Sequence, residues 1–184
     1  MNCPVGPASI RTKSGSSHIP PPTSAIHRLG LISDTHGLVR PEVHSALAGV
    51  DFILHAGDVG GDEILDELAL IAPVHAVYGN TDEPGNPRLH AAIDLTIGGL
   101  RIHVSHGHEL GVPKPEKLLA RYAADVIVYG HTHKQLITRA DNRLVINPGA
   151  AGPARFDLEP SVAILEMKDG TADARIIGLP MRST

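Results

Sequence analysis

The sequence predicts an α/β fold, arranged as a two-sheet α-β-β-α sandwich. Between residues 28 and 78, apolar runs of strand length alternate with segments of helical period, the pattern that parallel strands require. Between residues 93 and 179, strand-length runs come in pairs around Gly98-Gly99, Asp141-Asn142 and Lys168-Asp169-Gly170, which are three hairpin signals. The chain has 184 residues, 42% of them hydrophobic, enough for one full core and too few for a second domain of ordinary size.

Residues 1–26 are rich in Pro, Ser and Gly, with neither helical nor strand period, and are expected to form a disordered or extension tail. Residues 27–184 are expected to form a single domain. The tail lacks the apolar segment of a secretory signal. Arg11 and Lys13 without an acid are a feature of transit peptides, which the prolines and the missing amphipathic period oppose.

The first strand is expected over 28–33, followed by "DTHG". A short helix over 41–48 opens on Pro41, a residue suited to the first helical position. The run 51–56 is a second strand, followed by "GDVGG". In 62–71, Ile64, Leu65, Leu68 and Ile71 share one helical face and acids occupy the first turn. A third strand, 74–78, leads to "GNTD", and 83–90 reads as a Pro/Gly/Asn loop. The first hairpin, 93–97 with 100–105, ends in "SHGH". A helix over 115–123 precedes the strand 125–129, and "GHTH" follows it. Two further hairpins complete the chain.

Composition excludes several classes. The net charge of −4, with 16 Lys and Arg against 20 Asp and Glu, supplies no basic groove for extended nucleic acid. Five aromatics offer no stacking platform for single strands. No apolar run approaches the ~20 residues of a membrane span. The lone Cys3 cannot form an internal disulfide, which fits a reducing compartment and a cytoplasmic location.

Five strand-like runs end in a side chain that can hold a metal: Asp34 and His36, Asp58, Asn80, His106, and His131 with His133. In open α/β sheets, loops converge beyond the carboxyl ends of the strands, so these donors would face one crevice. Singly, each has an ordinary reading. Asp34-Thr35 is a common turn, Asn80 after Gly79 a left-handed turn residue, and His106 a strand end. Their joint occurrence in this order carries the metal reading. Two divalent cations ~3.5–4 Å apart need an anionic bridge, and Asp58, alone on its strand end, suits it. Oxygen and imidazole donors without thiolate favour Mn, Fe, Zn, Co or Ni. His55, His75 and His103 lie within strands as packed or hydrogen-bonded rings, and His44 and His90 read as surface or helix residues.

Together, "DTHG", "GDVGG", "GNTD", "SHGH" and "GHTH" resemble the calcineurin-like metallophosphoesterase superfamily, and more closely its small bacterial and archaeal phosphodiesterases of the YfcE type. The likeness runs from about Arg28 to Leu179. It implies the metallophosphoesterase sandwich and a hydrolase of small phosphodiesters that uses a metal-bridging hydroxide, with manganese among the candidate metals. By position, Asp34, His36 and His133 would hold one cation, Asn80, His106 and His131 a second, and Asp58 would bridge. Asn80 is counted with His108 as a catalytic residue. Asn147 in "INPGA" is implied to support the site, or only to make a turn. Many members carry His after the Asn equivalent to Asn80; here it is Thr81, too weak an acid to protonate a leaving group. His108 is then the local candidate for that role, with phosphate binding as its rival. A small phosphoester is the implied substrate and self-association as a homo-oligomer is open. The alternative is a non-catalytic interaction scaffold on the same fold.

Overall fold

The computed structural model describes residues 26–154 and 158–180. The expected tail lies outside the described residues except for Ile26. Eleven strands and three α-helices follow in the order β1 (His27–Ile32), α1 (Pro41–Ala46), β2 (Phe52–His55), α2 (Asp62–Ala69), β3 (Val74–Val77), β4 (Leu89–His90), β5 (Ile93–Ile97), β6 (Leu100–Val104), α3 (Pro115–Arg121), β7 (Val126–Val128), β8 (Leu136–Ala140), β9 (Arg143–Asn147), β10 (Ser161–Lys168) and β11 (Thr171–Gly178). One sheet has the order β11-β10-β1-β2-β3-β4 and the other β5-β6-β7-β9-β8.

Strand periodicity of two explains the layers. Leu29 and Leu31 of β1, Leu54 of β2, Ala163 and Leu165 of β10, Val126 and Val128 of β7 and Leu144 and Ile146 of β9 point between the sheets into one buried cluster. The alternate residues Ile32, Ile53, Val162 and Ile164 point outward and pack under Val43 of α1 and Ile64, Leu65 and Leu68 of α2. On the far side, Ile127, Tyr129 and Val145 pack under Leu118 of α3. The result is the expected α-β-β-α sandwich.

β1, β2 and β3 pair in parallel, as the strand–helix alternation predicts. The three hairpins form as β5-β6, β8-β9 and β10-β11. The second half is not hairpins alone, because β6, β7 and β9 also pair in parallel. The last hairpin returns to the first sheet, where β10 lies antiparallel to β1.

Local departures have tertiary causes. The 83–90 segment ends in β4, where the Tyr78 N–H donates to the His90 carbonyl at 2.9 Å. Its register is pinned by Asn86 to Asp62 at 2.7 Å and Arg88 to Asp66 at 2.8 Å. The third helix stops at Arg121 rather than 123 because Arg143 reaches its end carbonyls, donating to Leu119 at 2.9 Å, to Ala124 at 2.8 Å and to Tyr122. A short 3₁₀ turn, His108–Leu110, was not expected. Among the described residues, no helix is long and apolar enough to cross a membrane.

Leu54 is fully buried between the sheets. Leu54→Ala is expected to lower unfolding stability by about 2–5 kcal/mol in urea denaturation, the cost of lost burial plus a cavity in a close-packed core.

Candidate metal centre

Each candidate donor sits just beyond a strand end, on a loop that its own strand aims at the same point. Asp34 and His36 follow β1, Asp58 follows β2, Asn80 follows β3, His106 follows β6, and His131 and His133 follow β7. Past the strand ends, the first two loops keep pairing. Asp34 N–H donates to Gly57, His36 to Asp58 and Gly37 to Val59, each at 3.0 Å. In the second sheet the loops after β6 and β7 pair likewise, Gly130 N–H donating to the His106 carbonyl at 3.1 Å.

The donors converge. Nε2 of His133 lies 3.2 Å from Oδ1 of Asp34 and 3.5 Å from Nε2 of His36. Nε2 of His106 lies 3.2 Å from Oδ1 of Asn80. Between these two groups stands Oδ2 of Asp58, 3.8 Å from Nε2 of His36 and 3.4 Å from Nε2 of His106. The His131 ring meets the His106 ring edge to face at 5.2 Å. The carboxylates of Asp34 and Asp58 and the His106 ring are buried, whereas His36, His131 and His133 face the opening.

This set suits divalent cations. Nδ1–H of His106 donates to the Ala56 carbonyl at 2.7 Å, which leaves Nε2 as a bare lone pair facing the Asn80 and Asp58 oxygens. Lone pairs so placed repel unless something positive lies among them. Oδ1 of Asp34 is buried without a hydrogen-bond partner, the state of an oxygen shaped for a cation rather than for a donor. Asp34, His36 and His133 have ligand atoms mutually within 4.8 Å, as do Asp34, Asp58 and His106.

A proton on Nε2 of His106 can stand in for that positive charge. Burial works to raise the Asp58 carboxyl, but hydrogen bonds from His106 and from the Thr81 N–H, the latter at 2.9 Å, hold it well below the usual carboxylate range. Burial works to lower His106, and the Asp58 and Asp34 carboxylates outweigh it, so this ring is drawn towards positive charge. His131 is lowered by burial and by the neighbouring His106.

The backbone is held in a costly shape. Asp34, His36, Asp58, His131 and His133 have φ of 53°, 44°, 54°, 67° and 58°, in the left-handed region that side chains avoid. Each residue there costs about 1–2 kcal/mol, and such positions concentrate at functional sites.

Supporting residues emerge that sequence reasoning treated as turn formers or passed over. The Asp82 carboxylate accepts from the N–H groups of Val59, Gly60 and Gly79 at 3.1, 2.9 and 2.8 Å, so it ties the second loop to the third. Asn147 donates to the Gly130 carbonyl at 2.8 Å and to Thr132 at 3.0 Å, which braces the "GHTH" turn. Thr35 donates to Val59 and contacts Nε2 of His55, both at 2.8 Å. Ser33 bonds Oδ2 of Asp34. Of these, Asn147 was marked by the likeness of its "INPGA" stretch, whereas Ser33, Thr35 and Asp82 are polar residues beside turns with no signal of their own. Glu109, silent in the sequence, accepts from Tyr122 at 2.7 Å and from the Gly107 N–H at 2.9 Å.

His108 stands outside the ligand cluster, on its rim. Its ring centroid is 5.4 Å from that of His106, 6.4 Å from that of His131 and 6.2 Å from that of Tyr78. His55 and His103 are buried, hydrogen-bonded rings, the latter paired with Asp94 at 2.8 Å and stacked on Tyr122 at 3.7 Å.

Comparison with known proteins gives consistent matches. Residues 28–170 match the calcineurin-like phosphoesterase superfamily domain. A probable metallophosphoesterase of Methanothermobacter thermautotrophicus is 35% identical over 159 residues, covering 81% of this chain and 91% of that protein. A phosphodiesterase of Methanocaldococcus jannaschii is 30% identical over 140 residues, covering 66% and 82%. In fold, the chain resembles vacuolar protein sorting 29 of Cryptosporidium parvum, with a TM-score of 0.70, 23% identity and coverage of 85% of this chain and 99% of the other.

Beneath the centre, burial lowers His55 to about 4. The same ring titrates near 6.5 in the unfolded chain, so below that pH the unfolded state binds a proton the folded state refuses. Its contribution is complete above about pH 6.5 and is lost as pH falls towards 4, by about 3 kcal/mol. Urea denaturation of the wild type and His55→Gln between pH 7 and pH 4 is expected to show a shallower loss in the variant.

Proposed function

This chain belongs to the calcineurin-like phosphoesterase superfamily, and we propose that it is a dinuclear-metal-dependent phosphodiesterase acting on small phosphodiesters. In this reading Asp34, His36 and His133 hold one divalent cation, Asn80, His106 and His131 hold a second, and Asp58 is shared. The observation that supports it best is the position of the Asp58 carboxylate. One oxygen is fixed by the Thr81 N–H, and the other reaches towards a histidine of each group, at 3.8 and 3.4 Å. The oxygen and imidazole donors suit Mn, Fe, Zn, Co or Ni. When bound, such a pair supplies Lewis-acid charge and a water acidic enough to attack at neutral pH.

The chain's own residues do the rest. Of the seven donors only Asp34 and Asp58 are anionic, so the charge of two dications is left partly uncompensated and the mouth selects an anion. Asp82, Asn147 and the paired loops keep the donors fixed, so little reorganisation accompanies binding. Position 81 offers no acid: Thr81 contributes its N–H to Asp58. His108, on the rim and outside the proposed ligand set, is placed to meet a departing oxygen or a phosphoryl oxygen.

The rival reading is a non-catalytic scaffold, favoured by the fold likeness to vacuolar protein sorting 29. A scaffold has no need of seven convergent donors with five in strained backbone, and the retention of all of them weighs towards chemistry.

Chelation is expected to abolish hydrolysis of bis(p-nitrophenyl) phosphate and added Mn²⁺ to restore it. Unchanged hydrolysis after chelation contradicts the proposal. Asp58→Asn, which keeps the Thr81 contact and removes the charge, is expected to lower bound metal measured by elemental analysis. Without a strong acid for the leaving group, aryl diesters are expected to exceed alkyl monoesters in kcat/KM by about a hundredfold or more. Comparable rates would reveal an acid elsewhere.

A further inference from the structure

One cavity adjoins the candidate centre at His131 and is otherwise lined by residues outside the proposed ligand set. It has a volume of about 540 Å³, and its lining includes His131, Val112, Pro113, Tyr129, Leu136 and Lys134. Its walls are of two kinds. Val112, Pro113, Tyr129 and Leu136 give a mainly apolar floor and side, and Val112 is 64% exposed there, a large aliphatic left open to water. That exposure is maintained, because the Lys117 ammonium holds the 110–112 segment by donating to the Leu110 and Val112 carbonyls, both at 3.3 Å. Gly107, with φ of 96°, packs against Pro113 from behind, where a Cβ would lie 3.2 Å from the proline ring.

The polar wall is Thr132, Lys134 and Gln135. Thr132 is engaged by Asn147, and the Gln135 amide N–H donates to the Glu159 carbonyl at 3.2 Å. Lys134 is exposed, and among the described residues its ammonium makes no ion pair. It is the one full cationic side chain in the lining. The cavity, about 540 Å³, therefore offers room for a ring beside an apolar side most open at Val112, begins at a proposed metal ligand and carries a positive charge in its wall.

We infer that this groove holds one ester arm of the substrate, that the arm is a ring-bearing group of nucleoside kind, and that it carries an additional anion read by Lys134. The inference rests on the phosphodiesterase reading above and adds the substrate class to it. Continuity through His131 makes an arm of the bound phosphodiester the occupant rather than an unrelated molecule. A simple alkyl arm leaves the apolar wall wet, and an uncharged arm leaves Lys134 unused. A nucleotide-type diester with a further phosphate satisfies both walls.

The test uses the full chain loaded with Zn²⁺ and three substrates with one leaving group: the p-nitrophenyl phosphodiesters of methanol, of thymidine at its 5′ oxygen, and of thymidine 3′-phosphate at its 5′ oxygen. kcat/KM is expected to rise at each step. Val112→Asp is expected to remove most of the gain from the thymidine ring, about tenfold. Lys134→Gln is expected to cost about fivefold more on the phosphorylated arm than on the unphosphorylated one. Independently of turnover, thymidine 3′,5′-bisphosphate is expected to shift the Val112 and Leu136 methyl resonances, whereas inorganic phosphate leaves them in place. Equal kcat/KM for all three diesters, or equal losses in each variant on all three, overturns the inference while leaving the phosphodiesterase reading intact. Methyl shifts that follow protein concentration instead of nucleotide also overturn it, since a second copy of the chain would then cover the groove. Absence of hydrolysis of every diester, with methyl shifts present, refutes the phosphodiesterase reading instead.

Discussion

The site depends on a single close approach, that of the His106 ring to the turn after β2. The ring's Nδ1–H reaches the Ala56 carbonyl at 2.7 Å, and this bond joins a loop of the second sheet to a loop of the first. It exists only because Gly57 has no side chain, since a Cβ there would lie 2.6 Å from Nδ1. The same condition recurs beside it. A Cβ on Gly79 would stand 2.0 Å from the Asp58 carboxylate, and one on Gly130 would stand 2.0 Å from the Ser33 hydroxyl. Small residues at these positions let strand ends from two sheets approach to ligand distance. Remove that freedom and the donors belong to separate loops.

Convergence of this kind carries a conformational cost. Five donor residues in the left-handed region, at about 1–2 kcal/mol each, take a sizeable fraction of the net stability of a typical domain. The cost is offset locally. The N–H groups of Asp34, His36 and Gly37 are paired across to the neighbouring loop, and Asp82 gathers three more N–H groups around one carboxylate. A charge-assisted hydrogen bond is stronger than a neutral one, and Asp82 makes three. The loops are thus as well bonded as the strands they extend. That accounts for donors held in place by the protein's own hydrogen bonds, and it is the structural meaning of preorganisation here.

Much of this was legible in the chain because the relevant signals are local. Apolar runs of strand length announced β1, β2 and β3, turn residues announced the hairpins, and each donor stood just past an apolar run. What could not be read was what long-range contacts decide. The strand at Leu89–His90 exists because Asn86 and Arg88 anchor its approach to Asp62 and Asp66 on α2. The end of α3 is set by Arg143, 22 residues beyond the helix's last residue in sequence. The return of β10 to the edge of β1 is a long-range pairing that leaves no mark in hairpin composition. At the site, residue types indicated the donors, but not that a single oxygen of Asp58 faces a histidine of each group, nor that Asp82 and Glu109 brace the loops. A carboxylate that accepts backbone N–H groups and one that binds a metal are the same letter in a sequence.

The surroundings of the centre are unlike on its two sides, and the difference has a direction. The cavity beside the second and third loops, about 440 Å³, is lined by Gly60, Thr81, Asp82, Glu83 and Asp62. Asp82 is occupied by backbone N–H groups and Asp62 faces Arg88, but neither ceases to be negative. Across the centre lies the groove with Lys134 and the apolar wall. At the surface, a charge pair a few ångströms apart is worth up to about 1 kcal/mol, attractive or repulsive. On the proposed function, a diester held by its phosphoryl oxygens would have two arms to place, and an arm with its own negative charge would meet repulsion on one side and attraction on the other. The two small terms add, because choosing one side gains the attraction and avoids the repulsion. Charges that contribute little to stability can therefore decide the orientation of a bound anion and, in the proposed reaction, which ester bond would lie opposite the attacking water.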